Sequence, residues 1–537
     1  MATLTLSMLA PASAALAQPG DACDNRSNNT YQMLLECVTV DGVREHQAEF
    51  QKIADNSMDP VYPGTRAAGT LGYADSVDYV AGLLEDAGYE VTLDPVQITF
   101  NFPPVLSQLT PDAEDYETGV FSGSGAGDVS APITAVDINL VPPRASTSGC
   151  DGAFTEAAVG APIVADPGGT DDFAGFPAGN IALIQRGGCS FALKAVNAQA
   201  GGASAVVIFN QGNTPDREGL IVGNAVPPDG STAPVISIPV VGASFADGEA
   251  LSQALTARVA VVSEARTDFN VIAELPGKNE DNVVMAGAHL DSVTEGPGIN
   301  DNGSGSAALL ETALLMANLN PENTLRFAWW AAEEQGLVGS HDYVDGLPQG
   351  ELDRIALYMN YDMVGSPNYI FMVYDADEST FPAPMGVTIP PGSEAIEDVY
   401  ESYYTLIGEP YDDTEFSGRS DYEAFIQAGI PSSGLFTGAE VPKTPAQQAI
   451  WGGVIGAQFD PCYHLACDTF SNNNLQALDV NSDLIAFAQL TFAYSTESVN
   501  GVPGKNVPGP PFELPAPAGP EGTFAEDGGL HAPRAAA

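Results

Sequence analysis

The pattern of apolar residues changes along the chain, and the second half alternates between strand-like and helix-like segments. Continuous apolar runs, typical of strands buried on both faces, are separated by segments with apolar positions at helical spacing. In chain order these segments are Val283–Ala288, Gly305–Leu319, Thr324–Trp330, Leu337–Val344 and Ile355–Tyr361. The alternation predicts an α/β fold with a mostly parallel, doubly wound sheet.

The first half has a different pattern. Two helical segments come first, Val43–Asn56 and Ala74–Ala87, and Gly88 ends the second before a β-branched strand. Residues 103–262 are rich in Gly, Ala, Pro and Val and contain no histidine. The change of composition at residues 103–262 indicates a different type of structure with short strands, and no catalytic cluster is expected there.

One segment of the middle part is more regular. The strands Ile181–Ile184 and Ala205–Phe209 flank a helix at Phe191–Ala200, which predicts a small βαβ-like unit. After Asn500 the chain is rich in Pro, Gly and Ala and has no periodicity. We therefore expect residues 498–537 to be a linker or a flexible appendage.

The N-terminus resembles an export signal, or the remnant of one. Residues 4–16 are apolar and small, and Ala14-Ala15-Leu16-Ala17 offers a cleavage site of small residues. A basic segment is missing ahead of it, since the first basic residue is Arg26. No other stretch reaches the roughly 20 apolar residues of a membrane span. We predict a signal peptide at residues 1–17, a start that lies upstream of Met1, and a secreted protein.

The charge of the chain excludes some partners. The 537 residues carry 17 Lys and Arg against 70 Asp and Glu, a formal net charge of −53. Such a charge repels phosphates and anionic lipid, so we expect neither nucleic acid nor a membrane surface as a partner. The simplest interpretation of the charge is a solvated acidic coat that maintains solubility.

The six cysteines form three local pairs along the chain: Cys23 with Cys37, Cys150 with Cys189, and Cys462 with Cys467. Six cysteines allow 15 pairings in principle, and an even number in an exported chain favours disulfides. Local pairing is the simplest choice, and we expect three structural disulfides.

Polar residues follow the ends of the predicted strands, where open α/β sheets carry their sites. His289 and Asp291 follow the first strand, Glu333 and Glu334 the second, and Asp362 the third. Segments distant in sequence therefore bring an imidazole and several carboxylates to one edge of the sheet.

Two loops add further candidates, Asp301 in the first and Tyr463 with His464 in the second. Two histidines and several carboxylates suit a pair of divalent ions with one bridging carboxylate. Two adjacent glutamates can divide the work, one as a ligand and the other as a proton acceptor. A Glu-Glu pair alone is usually a solvated helix start, but the combination at successive strand ends favours a metal site.

Seven motifs follow one another through this half of the chain: Gly287–Val293, Gly298–Gly305, Phe327–Glu334, Asn360–Ser366, Gly418–Asp421, Gly434–Gly438 and Cys462–His464. In this order they closely resemble the secreted bacterial di-zinc aminopeptidases of the Streptomyces leucine aminopeptidase type. The resemblance is strong over residues 268–495 and weak over residues 40–100.

The resemblance implies a zinc-exopeptidase fold that binds two Zn²⁺ ions. The ligands it implies are His289 and Asp362 on one ion, Glu334 and His464 on the other, and Asp301 bridging the two. The peptide bond that follows Asp301 is expected to be cis.

The resemblance also implies roles beside the ions. Glu333 is expected to be the general base, and Asp291 to orient His289 through its carboxylate. Tyr463 is expected to stabilise the oxyanion that forms on the substrate carbonyl.

Substrate recognition is implied in the same way. Glu333, Asp362 and the carbonyl of Arg419 are expected to bind the free α-amine of a peptide. Met363 and Phe436 match positions that line an apolar pocket for the first side chain. Peptide or protein N-termini beginning with Leu, Met or Phe are the substrates that these matches favour.

Asp479 and Asp483 match positions that hold a calcium ion in the resembling enzymes. The alternative interpretation of these aspartates is an ordinary helix N-cap. Calcium is therefore a second possible cofactor.

The middle part resembles a protease-associated (PA) domain, chiefly through Gly179–Phe191 and the βαβ-like unit that follows. The implied division is a signal peptide at 1–17, a discontinuous peptidase domain at 38–102 and 263–497, a PA domain at 103–262 and a tail at 498–537. One departure is Tyr422-Glu423, which stands where the resembling enzymes have a histidine.

Other functions on the same fold are a metal-free receptor and a glutamate carboxypeptidase or glutaminyl cyclase. The intact set of ligands favours a metalloenzyme over a receptor. The 17 basic residues argue weakly against carboxypeptidases, which need cations to bind a substrate carboxylate. We expect a monomeric secreted aminopeptidase.

Overall fold

The structure is a computed structural model that describes residues 23, 26–168, 171–384 and 386–524. Within these residues the chain forms two compact units. The large unit contains the residues up to Ile98 and those from Arg266 onward, and the small unit contains Thr99–Ala265. The expected signal peptide at residues 1–17 lies outside the described residues.

The helices of the described residues are α1 (Tyr31–Leu35), α2 (Val40–Asn56), α3 (Leu71–Ala87), α4 (Phe191–Ala200), α5 (Phe245–Leu251), α6 (Gly303–Met316), α7 (Val338–Gly346), α8 (Gln349–Leu352), α9 (Ser393–Ile407), α10 (Tyr422–Gln427), α11 (Pro445–Trp451), α12 (Leu475–Tyr494) and α13 (Glu497–Asn500).

The strands of the described residues are β1 (Glu90–Asn101), β2 (Val105–Thr110), β3 (Glu114–Tyr116), β4 (Gly127–Val136), β5 (Phe154–Glu156), β6 (Ile163–Ala165), β7 (Ile181–Gln185), β8 (Ala205–Phe209), β9 (Val240–Ala243), β10 (Thr256–Val261), β11 (Ser263–Leu275), β12 (Asn279–His289), β13 (Asn323–Trp330), β14 (Ile355–Tyr361), β15 (Met372–Tyr374), β16 (Asp412–Thr414) and β17 (Ser432–Phe436).

The large sheet has eight strands in the order β1-β11-β13-β12-β14-β17-β15-β16. Its four central strands, β13, β12, β14 and β17, pair in parallel. The strands β11 and β15 pair antiparallel with their neighbours β13 and β17. The predicted α/β fold with a mostly parallel sheet is confirmed.

Both faces of this sheet are buried, which explains the continuous apolar runs in the sequence. Successive residues of β13 point to opposite faces: Phe327 and Trp329 pack in one core with α6 and α12, whereas Ala328 and Trp330 pack in another with α10. The indole Nε1 of Trp330 donates to the hydroxyl of Tyr358 at 2.8 Å. The strands that end at the candidate site are therefore held from both sides.

The small unit contains a seven-stranded sheet in the order β3-β2-β10-β4-β7-β8-β9 and the pair β5-β6. The strands β4, β7, β8 and β9 pair in parallel, and α4 connects β7 to β8. The predicted βαβ-like unit is therefore present. The side chains of β7 and β8 alternate between two apolar clusters, one on each face.

The three expected disulfides are confirmed: Cys23–Cys37, Cys150–Cys189 and Cys462–Cys467. Among the described residues, no helix has both the length and the apolar character that a membrane crossing requires.

The chain after Asn500 differs from the flexible appendage expected from its composition. Its described part, which ends at Phe524, packs on the large unit as extended chain. The amide of Gly519 donates to the hydroxyl of Tyr411 at 2.8 Å, and the amide of Glu521 donates to the Tyr411 carbonyl at 3.0 Å. Phe524 is buried against Ile370, Met372 and Phe459. Extended chain held by single contacts has no periodicity, which is why the sequence pattern did not predict it.

The small unit contains a fully buried lysine, Lys194 on α4. Its Nζ donates to the carbonyl of Ser148 at 2.5 Å and lies 3.5 Å from Cys150 Sγ. Burial lowers the pKa of Lys194 to about 7, although Asp172 and Glu156 act in the opposite direction. The unfolded chain keeps an ordinary lysine pKa of about 10.4.

We predict that Lys194→Met removes a pH dependence of stability. Between pH 7 and pH 10 the unfolded lysine holds a proton that the folded lysine has released, so the free energy of unfolding rises with pH in the wild type. The wild type should therefore gain stability over the variant as the pH rises. Urea unfolding monitored by pulse proteolysis of the small unit in the full chain, repeated from pH 7 to pH 10, measures the difference in free energy of unfolding.

The exposed Lys52→Met is the control and should give a constant difference across the same pH range. A constant difference for Lys194→Met as well would contradict the prediction.

Candidate metal centre

The candidate ligands lie where parallel strands of the large sheet end. His289 is the last residue of β12, and Asp362 directly follows β14. The strand β12 pairs in parallel with β13 on one side and β14 on the other, so the three strand ends meet at one edge. The strand ends predicted from the sequence therefore come together.

The turn after β13 carries the two adjacent glutamates. Ala332 has a φ of 55°, in the left-handed region, and a single 3-10 turn follows at Glu333–Gln335. The fully buried Asp291 holds this turn, because its Oδ1 accepts from the amide of Glu333 at 3.1 Å and its Oδ2 from the amide of Glu334 at 3.4 Å.

Asp291 contacts His289 mainly through its backbone. The Nδ1 of His289 lies 3.1 Å from the carbonyl oxygen of Asp291 and 3.6 Å from its carboxylate Oδ1. The carbonyl is thus the hydrogen-bond partner that directs Nε2 toward the site. The carboxylate also faces this nitrogen while it holds the glutamate turn, so the expected role of Asp291 in orienting His289 stays a prediction.

Two groups of possible metal ligands share one residue, Asp301. In the first group, His289 Nε2 lies 3.2 Å from Asp301 Oδ1 and 3.3 Å from Asp362 Oδ1. In the second, His464 Nε2 lies 3.2 Å from Asp301 Oδ2 and 3.0 Å from Glu334 Oε2. The ligand atoms within each group lie within 4.8 Å of one another. Asp301 therefore directs one oxygen to each group, as a bridging carboxylate does.

The charges of these groups are poorly balanced by protein alone. Burial raises the pKa of Glu334, and with the nearby Asp301 brings it to about 7. Burial opposes the charged form of His464, but hydrogen bonds with Asp301 and Glu334 outweigh it and raise the pKa of His464 to about 10. Oδ1 of Asp362 and Oε1 of Glu334 are buried without a hydrogen-bond donor.

The donor set fits two divalent cations. Nitrogen and oxygen ligands at 2.0–2.2 Å from a tetrahedral zinc are separated from one another by about 3.3 Å. Here each imidazole nitrogen lies 3.0–3.3 Å from the two carboxylate oxygens of its group. Each group supplies three protein ligands, which leaves one position for water or substrate.

Tyr463 lies next to the second group and is held there by the guanidinium group of Arg419. Its ring stacks on the His464 ring with 3.8 Å between the centroids. Arg419 donates from Nη2 to the Tyr463 hydroxyl at 3.0 Å, and from Nη1 to Glu440 Oε1 at 2.7 Å. The structure thus brings Tyr463 and the Arg419 guanidinium together, whereas the sequence resemblance implied a role only for the Arg419 carbonyl.

A cavity lined by Asp301, Asp362 and His464 opens onto both groups. Its polar wall includes Glu333 and Asp362, and its apolar wall includes Met363 and Phe436. Each candidate substrate-binding residue from the sequence therefore lines this cavity.

Sequence reasoning missed other residues of the site. Tyr374 and Thr414 line the cavity from the ends of β15 and β16. Ser420 accepts from Asn360 Nδ2 at 2.8 Å and donates to Asp362 Oδ2 at 2.6 Å, which orients that carboxylate. The Gly418–Asp421 motif contains Ser420 and was the signal that could have identified it.

Asp479 and Asp483 lie apart from this centre, within α12. Asn474 caps that helix, so neither aspartate is an N-cap. Burial and the charge of Asp479 raise the pKa of Asp483 to about 7. Among the described residues, the groups of three or more possible metal ligands do not include this pair.

Sequence comparison identifies relatives along most of the chain. The profile of peptidase family M28 matches residues 270–489, and that of the PA domain matches residues 136–251. An aminopeptidase of Pseudomonas aeruginosa is 44% identical over 481 residues, which cover 87% of this chain and 83% of the relative. A probable leucine aminopeptidase 2 of Aspergillus fumigatus is 38% identical, covering 81% and 80%.

A solved structure has the same fold. The zinc aminopeptidase BSAP from Bacillus subtilis superposes with a TM-score of 0.57 at 25% identity, covering 84% of this chain and 94% of that one. The identities of 44% and 38% over more than two thirds of the chain establish its family. The chain belongs to peptidase family M28, as a metal-dependent aminopeptidase with an inserted PA domain.

Proposed function

We propose that the chain is an exported aminopeptidase that uses two Zn²⁺ ions to remove large apolar residues from peptide N-termini. The observation that carries the proposal is the position of Asp301, whose two oxygens each lie 3.2 Å from a different imidazole. The names of the Bacillus subtilis zinc enzyme and of the Aspergillus fumigatus leucine enzyme support the metal and the substrate class.

The ligands of the first ion would be His289, Asp301 and Asp362, and those of the second Asp301, Glu334 and His464. When bound, the ions supply a water that ionises near neutral pH and an electrophile for the scissile carbonyl.

Glu333 holds and transfers the proton in this proposal. Burial raises the pKa of Glu333, and repulsion from Glu334 and Asp362 adds to that effect while His289 opposes it. A carboxylate with a raised pKa accepts a proton from the attacking water and returns it to the leaving amine.

The Tyr463 hydroxyl donates a hydrogen bond to the oxygen of the substrate carbonyl, on which negative charge develops. Arg419 donates to the Tyr463 oxygen at 3.0 Å, which fixes the direction of the hydroxyl. Glu440 balances the charge of Arg419 with its carboxylate at 2.7 Å.

The cavity suits a peptide with a free amine. Glu333 and Asp362 present carboxylates to the substrate's α-ammonium group, whose charge they would balance. The side chain of the first residue would lie between Met363 and Phe436, where apolar groups are favoured. A free carboxylate in the place of that ammonium group would be repelled by Glu333 and Asp362, which favours an aminopeptidase over a carboxypeptidase.

Export is supported by the three disulfides, which persist in oxidising compartments. Calcium at Asp479 and Asp483, a monomeric state and the boundaries of the PA domain remain predictions.

We predict that Glu333→Gln abolishes turnover and leaves both zinc ions bound. The amide cannot accept the proton, and loss of a general base costs on the order of 10² to 10⁴ in rate. The measurements are kcat on leucyl p-nitroanilide and zinc content by elemental analysis, with the exposed Glu280→Gln as the control. A variant with fewer than two zincs would reassign Glu333 as a ligand.

A free amine should be essential. Acetylation of leucyl p-nitroanilide removes the charge that Glu333 and Asp362 balance, a loss of about 1–3 kcal/mol for a hydrogen bond to a charged group, and adds bulk. We expect ready cleavage of the free substrate and essentially none of the acetylated one. N-methylation keeps the charge and adds bulk, so the methylated substrate separates the two effects. Comparable rates on free and acetylated substrates would exclude an aminopeptidase.

Phe436→Ala should reduce the preference for large apolar residues. Loss of the ring removes contacts with a leucyl side chain but few with an alanyl one, so the ratio of kcat/KM for leucyl over alanyl amides should fall about tenfold or more. Phe381→Ala is a matched control, because Phe381 packs in the same apolar cluster but does not line the cavity. An unchanged ratio in Phe436→Ala would place the first side chain elsewhere.

A further inference from the structure

Two of the proposed zinc ligands, Asp301 and His464, lie on loops and not at the ends of strands. Asp301 lies in the loop before α6, and His464 lies in the loop between Asp460 and Asn472. These loops are more than 150 residues apart in sequence. Direct contacts between the two loops can therefore set the distance between Asp301 and His464.

One residue of the second loop, Asp468, makes most of these contacts. Its Oδ1 accepts from the amide of Asn300 at 2.9 Å, and its Oδ2 accepts from the amide of Asp301 at 3.0 Å. Its carbonyl accepts from the amide of Ile299 at 3.2 Å. Three consecutive amides of the Asp301 loop thus donate to a single residue, which is 2% exposed.

Asp468 is itself held on its own loop. It directly follows Cys467 of the Cys462–Cys467 disulfide, which encloses His464. Asn472 Nδ2 donates to Asp468 Oδ1 at 2.9 Å and to Asp460 Oδ1, also at 2.9 Å. Any displacement of Asp468 is therefore shared by the segment that carries His464.

We propose that Asp468 is a positioning residue that sets the distance between the bridging ligand Asp301 and His464. This proposal rests on the proposed two-zinc function and deepens it. Asp468 contacts neither an ion nor the substrate in this assignment; it acts through the backbone of Asp301. Its effect should therefore appear in zinc affinity and kcat, and not in the binding of substrate.

The carboxylate is required because both oxygens accept from amides. In Asp468→Asn one acceptor becomes an NH₂ group that faces an N–H donor, so one of the two contacts that the carboxylate makes to the Asp301 loop is lost. Substitution of residues that support metal ligands typically costs 10- to 100-fold in metal affinity. We expect a loss of this size for the ion that His464 would bind, because Asp468 joins the His464 loop to Asp301. The other ion keeps His289 and Asp362, which Asp468 does not contact.

The experiment measures zinc affinity of the full chain by competition with a chromophoric chelator, and kcat and KM on leucyl p-nitroanilide at saturating zinc. Asp460→Asn is the matched control. It removes a buried carboxylate of the same loop that accepts from Asn300 Nδ2 and the Cys462 amide, but it spares the Asp301 amide. Asp468→Asn should weaken one zinc 10- to 100-fold and lower kcat with KM unchanged, and Asp460→Asn should do so by less than threefold.

Asp468→Glu provides a second test if the asparagine variant does not fold. It keeps the charge and both acceptors but moves them by one methylene, so it should still weaken one zinc. Equal zinc affinities in a folded variant and the wild type, or equal losses in Asp468→Asn and Asp460→Asn, would overturn the proposal. Fewer than two zincs in the wild type would instead overturn the proposed function.

Discussion

The site depends on one buried carboxylate that faces two imidazoles. Asp301 directs one oxygen to His289, which the central strand β12 supplies, and the other to His464, which a disulfide-closed loop supplies. Each remaining ligand belongs to one side or the other of this residue. Strand ends thus position His289, Glu334 and Asp362, whereas the positions of Asp301 and His464 depend on how the two loops are joined.

The same carboxylate explains the electrostatics of the site. Other carboxylates stand close to the two imidazoles, and burial disfavours the charged forms of Glu333 and Glu334 among them. The protein supplies too few donors to offset them, and two divalent cations would do so. The whole molecule is also acidic, with a net charge of −53. Its negative potential attracts cations and the ammonium group of a peptide.

The parts of the site on long elements could be predicted from the sequence. The strands before His289, Glu333 and Asp362 are continuous apolar runs that end abruptly in polar residues, so their positions follow from the pattern alone. Tyr374 and Thr414 lie on strands of three residues each, too short for any periodicity. Asp468 was missed for another reason: its partners are backbone amides, which leave no mark on the residue types of the distant loop.

The segment that ends at Phe524 also protects the sheet. The strand β16 is the outermost on its side and pairs only with β15 among the described strands. The backbone of Glu521 bonds to Tyr411 just before this strand, and the amides of Gly522 and Thr523 bond to the carboxylate of Asp412 within it. An uncovered outer strand is a template for pairing with another chain. The Pro- and Gly-rich tail therefore lies against the first residue of this outer strand and restricts the access of another chain to that part of the sheet edge.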